Sequence, residues 1–154
     1  MRRNFPLVLL LATGCATQLP SSHTIPNAFP ADALVTQRAV LTVHGRQLSL
    51  TGYLSLSAAR GKRLIVTENF GAVLADVVVQ TNGTMRVIRS GQFFRPEWIQ
   101  RYVIPDLECL TGIGSCPVQN VSATHWIIER PAYTLDLQTV QIAPGSQSPD
   151  LFPP

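Results

Sequence analysis

Three cysteine thiols are the most reactive groups in this sequence, and their settings differ. Cys15 closes the run Ala12-Thr13-Gly14-Cys15, behind Arg2, Arg3 and an apolar stretch from Phe5 through Ala12. A basic start, a short apolar core and small residues at a cut site describe a secretion signal over residues 1–14. The stretch is too short to cross a bilayer, which takes about 20 apolar residues in a helix. An exported chain meets an oxidising compartment, where paired thiols persist. Cys109 and Cys116 flank Leu110-Thr-Gly-Ile-Gly-Ser115, whose two glycines let so short a loop bend back. A disulfide there would stabilise the fold by roughly 2.5 kcal/mol in the chain-entropy treatment. Two buried thiols are the alternative reading. Cys15 lies outside any foldable segment, so its thiol is free for chemistry at the cut site.

No other residues are spaced for catalysis. His23, His44 and His125 lie far apart in the chain, with no acid or thiol beside them. Nucleophile elbow, phosphate-cradling glycine loop and metal-ligand spacing are all missing from the sequence. The expectation is a protein that is not an enzyme and holds neither cofactor nor metal. Asn82-Gly-Thr and Asn120-Val-Ser match the glycosylation sequon, but a turn and a loop account for both.

Charge removes one class of partner. Lys and Arg number 12 against 9 Asp and Glu, a net charge of +3. Arg2 and Arg3 belong to the signal, so without them the balance falls to +1. No basic stripe with interleaved aromatics runs through the chain, and nucleic acid is not expected as a partner. Without the signal's 14 of 154 residues, 140 remain, enough for one domain with a modest core. Charged residues are 14% of the chain, below the usual quarter, and Lys62 is the one lysine. That composition suits a small β domain with apolar surface.

Residues 15–33 hold prolines at 20, 26 and 30 among Ser, Thr and Asn, and read as a flexible tether. Residues 144–154 read as a disordered Pro/Gly/Ser tail. The domain between, residues 34–143, has a period of two. In Gln47–Ser57, Leu48, Leu50, Leu54 and Leu56 share one strand face and polar residues the other. Gly52 interrupts the apolar face, marking a bend or a close approach. In the preceding strand Val35, Ala39, Leu41 and Val43 share a face on which Gln37 is the exception. His44-Gly45 joins the two as a tight hairpin. Lys62–Asn69, Ala72–Thr81 and Thr84–Arg89 continue a five-strand meander. Val77 and Val79 lie on an apolar face, and Asn82-Gly83 marks a hairpin. Arg95-Pro96-Glu97-Trp98 starts a helix, which Pro105 kinks or ends. A loop to about Ser122 carries both later cysteines, and His125–Arg130 and Ala132–Ile142 are the last strands. The fold class is mainly β with one helix (α+β), an antiparallel meander forming a curved sheet or half-barrel. Its apolar face needs a cover. The expectation is that whatever the helix leaves open forms a ligand cavity lined by Leu48, Leu50, Leu54, Leu56, Val77, Val79 and Trp98; the alternative is an apolar face that simply forms a core, closed by helix, loop and tether.

Ala12-Thr-Gly-Cys15 resembles the lipobox of bacterial lipoproteins. The resemblance implies that Cys15 receives a diacylglyceryl group, is cut free and becomes the acylated first residue. An ordinary secretion signal with Cys15 incidental is the alternative. Ala16, not Asp, follows the cysteine, which by the same resemblance implies the outer membrane, facing the periplasm. The stretch from Leu34 to about Leu110 also looks like a group of bacterial outer-membrane lipoproteins. Leu41-Thr-Val-His-Gly-Arg46, Leu48-Ser-Leu50, Phe70-Gly71 and Pro96-Glu-Trp-Ile-Gln100 carry that likeness. Such proteins are similar in layout to the LolA/LolB lipoprotein carriers, which implies an incomplete barrel with a helical lid over an apolar cavity. It implies a binder of an acyl chain, lipid or lipoprotein. The chain departs from that class in its shortness and single clear helix. No protruding apolar loop of the LolB kind can be placed, and Phe93-Phe94 is either an exposed aromatic pair or a core edge. The other reading is a structural or interaction lipoprotein with a filled core, meeting an envelope protein partner.

Either reading rests on Cys15. Changing Cys15 to Ala is expected to move the protein from the membrane fraction to the soluble periplasm. Membrane association that survives the change would refute lipid anchoring.

Overall fold

A computed structural model describes residues 29–113 and 116–145. Five strands come first: β1 (Ala33–Val43), β2 (Arg46–Ser57), β3 (Gly61–Glu68), β4 (Val73–Val79) and β5 (Met85–Ser90). A helical segment follows, made of α1 (Pro96–Trp98), a π-helical turn (Ile99–Val103) and α2 (Ile104–Leu110). Then come β6 (Val118–Ser122), β7 (His125–Arg130) and β8 (Tyr133–Pro144). All pair antiparallel in one open sheet of order β5-β4-β3-β2-β1-β8-β7-β6. Two meanders therefore meet along β1 and β8, and β5 and β6 are the free edges. The helical segment is the connection between those two edge strands.

Alternation in the sequence decides which face is covered. In β1, Ala33, Val35, Gln37, Ala39 and Leu41 are buried, and the residues between them are more exposed. Their partners across the register continue the layer: Val35 faces Leu54, Ala39 faces Leu50 and Leu137, and Leu41 faces Leu135. Buried side chains of the helical segment, among them Ile99 and Leu107, close onto this layer. β4 is buried along nearly its whole length, and Asp76 on its other face is paired with Arg63 at 2.8 Å. Irregularities at Thr36/Gln37, Val66/Thr67 and Asp76/Val77 are the kind that bend and twist strands.

Several boundaries differ from the sequence reading. The packed region reaches back to Phe29, which is 4% exposed and stands edge-on against Trp126, ring centroids 6.1 Å apart. β8 extends through Pro144, and Gly145 donates its N–H to the Asp32 carbonyl. Cys15 and the expected tail from residue 146 lie outside the described residues. The stretch read as loop before Ser122 contains β6, whose exposed residues concealed it. Pro105 does not end the helix, which runs on to Leu110. The π turn just before it shifts the hydrogen-bond pattern by one residue, so the missing proline N–H is accommodated.

Two glycines separate conformational strain from collision. Gly45 has φ +74 with nothing near a would-be Cβ, whereas at Gly61, φ +98, a Cβ would strike the Val79 carbonyl. Gly45→Ala is expected to cost about 1–2 kcal/mol from left-handed strain alone, and Gly61→Ala clearly more. Equal chemical-denaturation midpoints for the two variants would contradict this packing.

Candidate functional site

Between sheet and helical segment lies a cavity of about 90 Å³. Its floor is supplied by β1, β2, β3 and β8 through residues such as Ala39, Leu50, Gly52, Leu64 and Leu137. Its roof is Phe94, Trp98, Val103, Asp106, Leu107 and Leu110. Gly52 creates part of the space. A Cβ there would meet Gln37 and Leu64 only at 3.9 Å, so the backbone is not closely approached, and the missing side chain is simply empty volume.

The roof is fixed at both ends and in the middle. Where it begins, Gly91 donates to the Leu74 carbonyl of β4 at 2.7 Å. Trp98 then meets Phe94 edge-on at 5.1 Å, and Tyr102 at 5.2 Å and Tyr133 of β8 at 5.7 Å with tilted rings, all between ring centroids. At the far end Lys62 Nζ donates to Thr111 Oγ1 at 2.6 Å. Cys109 and Cys116, both buried, are joined in a disulfide with Cα atoms 5.9 Å apart, so α2 is stapled to the start of the β6 meander.

The middle tie is ionic. Arg130 of β7 donates through Nε at 3.1 Å and Nη2 at 2.7 Å to Asp106 Oδ1. The Tyr133 hydroxyl donates to Oδ2. Asp106 and Tyr133 are each 5% exposed. Burial pushes the Asp106 carboxyl above its ordinary 3.8, against the pull of Tyr133 and Arg130. Burial and then the neighbouring carboxylate raise the Tyr133 hydroxyl. Desolvation lowers the Lys62 ammonium, opposed by Glu108.

The predicted cavity residues divide. Leu50 and Trp98 line the cavity. Leu48 is half-buried against the core. Leu54, Leu56, Val77 and Val79 do not line it; they are packed to between 1% and 8% exposure. The Lys62–Thr111 contact brings the end of α2 to the end of the sheet that holds these four residues, with Leu56 and Val79 beside Lys62 and Leu54 and Val77 beside Leu64. Leu56 and Val79 instead edge an open depression with Lys62, Glu108 and Ile113. The sequence reading missed Gln37, Gly52, Asp106 and Tyr133 as wall residues. Its signals were available: Gln37 and Gly52 are the two breaks in the apolar faces of β1 and β2.

Other sequence candidates stay apart. His125 pairs with Asp136 at 2.7 Å, away from the cavity, and His44 sits in a turn at φ 49. Among the described residues no group of His, Cys, Asp and Glu could hold a metal ion, and no helix is long and apolar enough to cross a membrane. The Phe93-Phe94 pair is split, with Phe93 77% exposed and Phe94 4%. The most exposed aromatic among the described residues is Phe70 at 96%, in the β3–β4 turn. No protein-family model and no curated protein matches the chain. Sheet and helical segment together form a small, partly open apolar recess.

Since the Asp106 carboxyl is raised, the folded chain holds that proton more tightly than the unfolded chain. Its contribution to stability is full below the ordinary value of 3.8 and is lost as pH rises through the raised one. Asp106→Asn is expected to flatten this part of the curve of unfolding free energy against pH above 3.8. Asp106→Ala, which strands Tyr133 and the mostly buried Arg130, is expected to cost about 3 kcal/mol. A pH slope unchanged in Asp106→Asn would contradict the assignment.

Proposed function

We propose that this protein is a lipoprotein anchored by Cys15 to the outer membrane, facing the periplasm, which takes an acyl chain of a lipid or lipoprotein under its helical lid. The observation that carries the reading is an apolar cavity roofed by a separate helical segment tied at defined points. Ligand pockets are of this kind, apolar with a few placed polar groups. An apolar cavity of about 150 Å³ stays dry and accepts a benzene ring. The present one, about 90 Å³, accepts the end of a chain, and a longer portion requires the lid to lift, as lids over binding sites do. An open eight-stranded sheet with its lid on the apolar face supports the LolA/LolB-like layout within the same proposal. Phe70 in an exposed turn supports work close to lipid.

A second reading has an observation of its own. The core is largely filled, and β5 and β6 present free edges that a partner strand can join. The two readings separate in one experiment. The purified full chain, held in amphipol, is titrated with a fluorescent fatty acid, and bound lipid is identified by mass spectrometry. Uptake is expected, and Gly52→Leu, which projects into the cavity, is expected to reduce it at least about tenfold. Unchanged uptake in Gly52→Leu would place the ligand elsewhere. No uptake by the wild type would favour the interaction module, with an envelope protein crosslinked at an edge strand.

A further inference from the structure

Gln37 is 3% exposed and stands in the cavity wall, in the row of β1 that is otherwise apolar. Buried amides normally find partners for both their carbonyl and their NH₂ group. Gln37 Nε2 reaches Thr139 Oγ1 at 3.5 Å, the outer limit of a hydrogen bond. No hydrogen bond joins its Oε1 to the described residues, and since none of their fully buried side-chain polar atoms lacks a partner, that oxygen keeps surface open to the cavity. That oxygen lies 3.9 Å from the position a Cβ on Gly52 would take, so it borders the space the glycine leaves empty. Exchanging the two ends of the amide changes nothing essential, since one end meets Thr139 and the other meets the cavity. The register shift between Thr36 and Gln37 is the local irregularity that sets the side chain's aim. Asp106, the other strongly polar wall residue, already spends both oxygens on Arg130 and Tyr133.

We propose that Gln37 reads a hydroxyl group carried on the acyl chain, so that the ligand class is a hydroxylated acyl chain. The inference rests on the acyl-chain reading above. A hydroxyl both donates and accepts, so it suits either end of the amide. It is also small enough for the space over Gly52. A plain chain would leave the amide facing hydrocarbon, and a polar site left unpaired discriminates against the ligand that lacks the partner.

The test uses the full chain in amphipol with two probes, tetradecanoic acid and 13-hydroxytetradecanoic acid, whose hydroxyl lies near the end that enters the cavity, followed through tryptophan fluorescence because Trp98 lines the cavity. The wild type is expected to bind the hydroxy acid at least about tenfold more tightly. Gln37→Leu is expected to bind both acids alike, with the plain acid bound no more weakly than before. Should Gln37→Leu fail to fold, Gln37→Met serves, and the wild-type comparison stands alone in any case. Both acids binding equally to the wild type would overturn the hydroxyl reading and leave the acyl-chain reading intact. Neither acid binding would overturn both.

Discussion

Asp106 holds the helical lid to the sheet, and the rest of the structure is arranged around that tie. An open antiparallel sheet with one apolar face cannot stand uncovered in water, and its cover must come from the same chain. Here the cover is the connection between the two edge strands, too short to shield every strand. It has two prolines, a π turn and no side-chain caps, so its own helical stability is slight. Tertiary contacts must hold it, as they do most helices. Arg130 and Tyr133, on the hairpin of β7 and β8, grip the one carboxylate that the lid turns inward. Lys62 and the Cys109–Cys116 disulfide fix the far end. Ile99, Leu107 and Leu110, all members of the core, add apolar packing to these polar ties.

Much of the sheet was legible because period-two alternation is a direct imprint of a half-buried strand. Leu48, Leu50, Leu54 and Leu56 fall on one face of β2, and the hairpins at His44-Gly45 and Asn82-Gly83 stand where their residues demand. What remained hidden is equally physical. β6 is exposed beyond Val118, and no alternation marks a strand that buries so little. Pro105 reads as a helix end unless a π turn precedes it, and π turns leave no clear pattern in sequence. The cavity was misplaced because alternation tells which face a residue occupies, not what lies above it. Only the path of the lid separates Leu50, under open space, from Leu54, under packed side chains. The departures from pattern were the better guide. Gln37 and Gly52, the two residues that spoil apolar faces, stand side by side in the wall.

The anchor proposed at Cys15 suits the ligand proposed for the cavity. Lipidation at Cys15 would keep the domain near a reservoir of acyl chains, and a small apolar enclosure is useful to a protein in that position. Phe70 projects from the β3–β4 turn, at the end of the sheet opposite to that where β1 begins. The chain thus enters from one end of the sheet while its most exposed aromatic points from the other.

The central claim is that an acyl chain lies beneath the lid, and photocrosslinking tests it most directly. A fatty acid carrying a diazirine near its methyl end is bound to the purified full chain and irradiated, and the labelled residues are mapped by mass spectrometry. The account predicts adducts on the cavity wall, at Leu50, Leu64, Trp98 and Leu107, that disappear when unlabelled fatty acid competes. Adducts confined to exposed residues such as Phe70, Phe93 and Ile113, with the wall unlabelled, would contradict it.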